Sequence, residues 1–127
     1  MKILGASIHG VLDYVSVALF AAVPSLFGLT GLPAMILYAL AAVHLLVSLA
    51  TRYPLGLLKR IPFNAHGMLE LAVAVGLVAA PWLLDFAAQE TARSVYIGLG
   101  LVLFAIWLLS DYRDTPTAAA PTITSPP

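Results

Sequence analysis

The chain is expected to be all-α: four transmembrane helices arranged as two parallel helical hairpins with pseudo-twofold symmetry. Three observations lead there. Hydrophobic residues make up 61% of 127 residues, charged residues 9%, and the mean hydropathy is +0.99. A soluble domain carries about 25% charged residues, so a water-facing surface cannot be covered. Four apolar runs, each near the ~20 residues needed to cross hydrocarbon, are separated by three gaps, the first two bearing Gly and Pro. The two halves of the chain also match each other at a fixed offset.

The first run extends from about Ile8 to Phe27 and the second from about Pro33 to Ala50. The third covers about 66–84, its apolar part beginning at Met68, and the fourth about 95–110. The gaps read "GLTGLP", "RYPLGLLKRIPFN" and "DFAAQETARS". Residues 114–127 are Pro-, Thr- and Ala-rich with Ile123 as the one large apolar residue, a composition expected to be disordered. A cleaved leader ending near "FAAVPS" is the competing reading of the first run; its length and the repeat argue for a retained span. Lys2, Arg52, Lys59, Arg60 and Arg113 fall on one side of four spans, and Arg93 on the other. The positive-inside rule then puts both termini in the cytoplasm, with a bacterial inner membrane as the expected location.

An offset of 57 residues carries Lys2 onto Lys59, Ser7 onto Asn64, His9 onto His66, Gly10 onto Gly67, Asp13 onto Glu70 and Pro24 onto Pro81. An offset of 59 carries Tyr53 onto Tyr112. Residues 1–57 and 58–113 are therefore expected to be two hairpin repeats running in the same direction. Ser7 and Asn64 are expected helix N-caps. Gly10 and Gly67 are expected to let helices approach closely, with Gly76, Gly98 and Gly100 as further packing points. The tyrosines are expected mainly as interface anchors, apart from Tyr14, which lies near the polar groups. "RYPLGLLKRIPF" reads as a basic loop that fixes topology or touches anionic headgroups.

"VGLVAAPWLLDF" (75–86) followed by "YIGLGLVLFAIWLL" (96–109) resembles the SPW-repeat integral membrane family. The first half, "AVPSLFGL", keeps the Pro but has Ser25 in place of Trp, and the second has Ala80 in place of the motif's Ser. The resemblance implies a small multi-pass protein built on a two-helix repeat. It implies no chemistry.

Net formal charge is zero and there is no cysteine. Nucleic acid is not an expected partner, thiolate ligands and disulfides are excluded, and no nucleophile elbow or phosphate loop is present. The polar residues inside the spans are the exception. Asp13 and Glu70 are the carboxylates placed there, and His9, His44 and His66 are all the histidines in the chain. In "HGVLD" and "HGMLE" the histidine and acid are i and i+4, one above the other on a helix face. At roughly 1.5 Å per residue all five groups fall in the same half of the bundle. His44 has no repeat partner, since Leu101 or Leu103 stands at the matching position. Ionisable groups in a membrane are costly and mark function by default.

Several readings follow. The leading one is a non-enzymatic packing or interaction module, with the acids favoured by helix N-termini and the histidines acting as polar glue. In that reading the partners are the lipid bilayer and a second copy or another membrane protein. The alternative is a site for a divalent metal, a haem or a proton relay built from His9, Asp13, His44, His66 and Glu70. A small transporter is a third class, requiring oligomerisation because four helices make a thin wall.

Overall fold

A computed structural model of the chain describes residues 2–113 and contains four helices: α1 (Ala6–Leu26), α2 (Gly31–Ala50), α3 (Phe63–Leu83) and α4 (Glu90–Leu109). The segment expected to be disordered, 114–127, lies outside the described residues. Each helix has 20 or 21 residues, hence a length of about 30 Å. All four are long and apolar enough to cross a membrane. α1 packs on α2 and α3 on α4. Large apolar side chains such as Leu26, Leu46, Met68 and Leu83 are more than 60% exposed around the outside, as a lipid-facing surface requires.

The helices begin earlier than their apolar runs. α4 starts at Glu90, five residues before the expected Val95. Its first turn is polar, so apolar counting misses it, while Glu90 complements the helix dipole there. Ser7 and Asn64 are not N-caps. The cap positions are Gly5 and Pro62, and neither makes a side-chain capping bond. The cause is the extended segment in front of each helix. Ile3 and Leu4 donate to the Leu109 carbonyl, and Asp111 donates back to Leu4. In the same way Arg60 and Ile61 donate to the Ala50 carbonyl, and Arg52 donates back to Ile61. These pairings fix residues 4 and 61 as short β-bridges with Ser110 and Thr51. The helices then start immediately after them.

At the opposite end, Pro24 and Pro81 sit in the last turns of α1 and α3. Both helices close with a six-to-one bond, from Leu29 N–H to the Pro24 carbonyl and from Phe86 N–H to the Pro81 carbonyl. This closure needs one residue in the left-handed region. Gly28 fills it at φ 63°, and Asp85 fills it at φ 58°. The core between these ends is apolar. Phe20, Leu37, Leu77 and Leu103 are at most 2% exposed. Tyr96 is not an interface anchor. It is fully buried, stacks edge-on against Phe86 and donates to the Pro33 carbonyl at 2.6 Å. Of the packing glycines, Gly100 faces Ala74 and Val78 so tightly that a Cβ would lie 2.8 Å from the Ala74 oxygen. Gly76 and Gly98 face open space.

The two C-terminal turns give a direct test. Gly28→Ala places a Cβ on a left-handed residue and is expected to cost about 1 kcal/mol. Asp85→Gly relieves the same strain and is expected to raise the thermal midpoint in detergent; a lower midpoint for D85G would contradict this account.

Candidate functional site

The buried face of α1 carries His9, Gly10, Asp13 and Ser16, and that of α3 carries His66, Gly67 and Glu70. α2 contributes His44 and Ser48. All five candidate residues lie together. Their relative exposures are 0% for His9, 1% for Asp13, 7% for His44, 1% for His66 and 2% for Glu70. Asp13 is the hub. Its Oδ1 is 3.2 Å from His9 Nε2 and 3.5 Å from His44 Nε2, and its Oδ2 is 3.2 Å from His66 Nε2. His9 Nε2 is also 3.6 Å from Glu70 Oε2.

The far side of two imidazoles is held by hydroxyls. His9 Nδ1 is 2.7 Å from Ser110 Oγ, and His66 Nδ1 is 2.8 Å from Thr51 Oγ1. Each hydroxyl has one proton, and each donates it to a carbonyl one turn back: Ser110 to Ile106 and Thr51 to Val47, both at 2.7 Å. The oxygen can then only accept from the ring, so Nδ1 carries the proton in both histidines. In the neutral ring Nε2 keeps its lone pair, and that lone pair faces the acids.

The glycine of each His-Gly-x-x-acid motif has a specific use. A Cβ at Gly10 would lie 2.8 Å from a Tyr53 ring carbon, and one at Gly67 would lie 2.7 Å from a Tyr112 ring carbon. The glycines make room for a tyrosine, not for a neighbouring helix. Tyr53 donates to Asp13 Oδ2 at 3.0 Å, and Tyr112 donates to Glu70 Oε2. Both rings lie outside the helices and cover the end of the cluster. Phe63 packs beneath them, with its ring centroid 5.1 Å from that of His9 and 4.9 Å from that of Tyr112. Tyr14 stays outside the cluster and donates to the Leu55 carbonyl. The loop after α2 is folded down over the site: Lys59 donates to the Tyr53 carbonyl and Arg52 to the Lys59 carbonyl.

Thr51, Tyr53, Ser110 and Tyr112 are thus site residues that motif reading missed. The signal was a repeated hydroxyl-x-tyrosine, "TRY" and "SDY", directly after the second and fourth spans.

Among the described residues, four buried side-chain atoms lack a hydrogen-bond partner: Nε2 of His9, His44 and His66, and Oε1 of Glu70. Polar atoms this deep are normally paired. The three imidazole nitrogens lie close to carboxylate oxygens without the alignment of an N–H···O bond. One donor atom each from His9, His66 and Glu70 also falls within 4.8 Å of the others. Donors bound at about 2.0–2.1 Å to a single ion stand about 3.0–3.4 Å apart by simple geometry, so these three, spread over as much as 4.8 Å, would close in around an ion. The Asp13 carboxylate lies beside all three imidazoles, with an oxygen within 3.5 Å of each Nε2. The chain matches no family model, no curated protein and no solved structure.

Burial, and secondarily the adjacent Asp13, pushes the Tyr53 phenol well above its ordinary range. Burial and Glu70 do the same to Tyr112. A phenol whose pKa is raised on folding contributes stability that is complete below its unfolded value, about 10, and is lost as pH rises through the folded value. The thermal midpoint is therefore expected to fall steeply only above about pH 10. Tyr53→Phe is expected to cost about 1–3 kcal/mol at neutral pH, by removing a donor from a buried carboxylate, and to flatten the alkaline limb. A midpoint with the same alkaline slope in Y53F and wild type would refute the assignment.

Proposed function

We propose that this is an integral membrane protein that binds a divalent transition metal in a buried site of three histidines and two carboxylates. The observation carrying the reading is the set of unpartnered Nε2 atoms of His9, His44 and His66 aimed at the acids. His9 and His66 are set for ligation by hydroxyls that accept hydrogen bonds from their Nδ1–H groups, a common outer-shell arrangement for metal-ligating histidine. Asp13 and Glu70 supply the negative charge, and Tyr53 and Tyr112 orient them. Mixed imidazole and carboxylate donors suit zinc, iron, manganese and their neighbours. A packing module accounts for buried polar groups that bond one another across helices, but not for three buried imidazole nitrogens without hydrogen-bond partners.

The finer architecture belongs to the same proposal. The bundle is read as two copies of one hairpin related by a pseudo-twofold axis, running parallel, as in an SPW-type repeat. Support comes from contacts that recur between halves. His9 with Ser110 corresponds to His66 with Thr51, Tyr53 with Asp13 to Tyr112 with Glu70, and the Leu4 bridge to the Ile61 bridge. The excess of Lys and Arg at the metal end favours the cytoplasmic side of a bacterial inner membrane.

Tag-free protein in mild detergent, dialysed against a weak chelator, is expected to retain about one transition metal per chain by elemental analysis. Asp13→Asn and His66→Ala are expected to retain less than a tenth of that. A metal-free, equally stable wild type would return the cluster to a packing role. A Soret band would replace the metal with haem.

A further inference from the structure

The seams between the two hairpins are unequal at the level of the histidines. Between α1 and α4, Ser16, Phe20, Leu99 and Leu103 leave a void of only about 10 Å³. Between α2 and α3 there is a cavity of about 90 Å³, and its polar floor is His44, His66 and Glu70. The difference traces to one pair of positions. Leu103 is buried and plugs the first seam, whereas the counterpart in the second seam is His44, whose imidazole turns in toward Asp13. The cavity wall is apolar, and two of its members, Val43 and Leu69, are about half exposed on the outside of the bundle. His44 lies seven residues before the C-cap Thr51, about 10 Å inside the end of the helix. The mouth therefore opens at a level that lipid chains surround, not water.

A neighbouring cavity lies beside it. A second void of about 230 Å³ runs along the same seam past Leu77 and Ala80 toward Tyr96, and the two share Leu40 and Val73 in their walls. Its lining is apolar apart from the Tyr96 hydroxyl, which is already bonded to Pro33. A small polar pocket and a larger apolar cavity thus lie next to each other along one seam.

We infer that the α2–α3 seam is a binding site for an uncharged, single-tailed amphiphile drawn from the membrane, its head a neutral oxygen or nitrogen donor that reaches the metal and its tail lying against Leu40, Val73 and Leu77. A charged head would have to cross the apolar mouth unpaired, which is costly. A two-chain lipid is too large for a seam of this volume. The inference rests on the metal reading, because the head is held by a coordination position on the His44 side. About 90 Å³ accommodates a small ring or a few heavy atoms, given that 10–15 Å³ holds one water.

The test uses full-length protein loaded with Co²⁺ in lipid nanodiscs, with 1-octylimidazole as the probe and the cobalt visible spectrum as readout. The wild type is expected to show a saturable spectral change. Val43→Trp, which fills the mouth, is expected to keep its cobalt by elemental analysis and weaken the probe at least tenfold. Leu99→Trp, on the opposite seam, is expected to respond as the wild type does. A cobalt spectrum indifferent to the probe, or a V43W response equal to wild type, overturns the seam site while leaving the metal site standing. Failure of the wild type to hold cobalt overturns both.

Discussion

The Asp13 carboxylate is the group on which the arrangement turns. It is buried among three imidazoles, inside a bundle whose outer surface is suited to hydrocarbon. A lone carboxylate there would be prohibitively costly, so every neighbouring element is shaped by the need to compensate it. Tyr53 reaches back from beyond α2 to donate to it and Gly10 is small so that the tyrosine ring fits; the Nε2 atoms of His9, His44 and His66 converge beside it from three different helices. Glu70 repeats part of this pattern with Tyr112 and Gly67. The position of each of these residues follows from the acids at 13 and 70 more directly than from helix propensity or apolar packing.

Division of labour along the bundle axis follows. The end holding the first and last described residues is polar and directional, built from hydroxyls, imidazoles and carboxylates with defined partners. The other end is apolar and is fixed by Phe20, Leu37, Leu77 and Tyr96 and by two tight helix ends at Gly28 and Asp85. Helix association in a bilayer gains little from burying apolar surface, since lipid chains are equally apolar. Close packing at Gly100 and the Tyr96–Pro33 bond hold the apolar end, and the polar network holds the other.

The four helices were legible in the sequence because hydrocarbon imposes a length and an apolar composition that few other constraints produce. Their starts were not, as Glu90 shows: a polar first turn is invisible to a count of apolar residues. Ser7 and Asn64 look like caps by residue type, yet the backbone pairing of Leu4 and Ile61, a contact with no local signature, sets the helix starts. The five ionisable residues could be named because charge in an apolar span is conspicuous. Their hydroxyl partners could not, since Ser and Thr near a span end are ordinary. Only the recurrence of hydroxyl-x-tyrosine after both α2 and α4 distinguished Thr51 and Ser110, and its meaning depends on knowing which helix end faces which histidine. The unequal seams lay further out of reach, because the plug at Leu103 and the opening beside His44 depend on side-chain volume in three dimensions.

The tie between Leu4 and Ser110 carries a consequence for biogenesis. In chain order α1 precedes the other three helices, with Asp13 and His9 already in it, while the hydroxyl that bonds His9 lies just beyond α4. The partners of Asp13 become available in stages: His44 and Tyr53 with the second helix, then His66 with the third. The first hairpin can therefore shelter its own acid during insertion. His9 gains its anchor only when the residue that follows α4 is in place, so completing the polar cluster requires all four helices to have assembled.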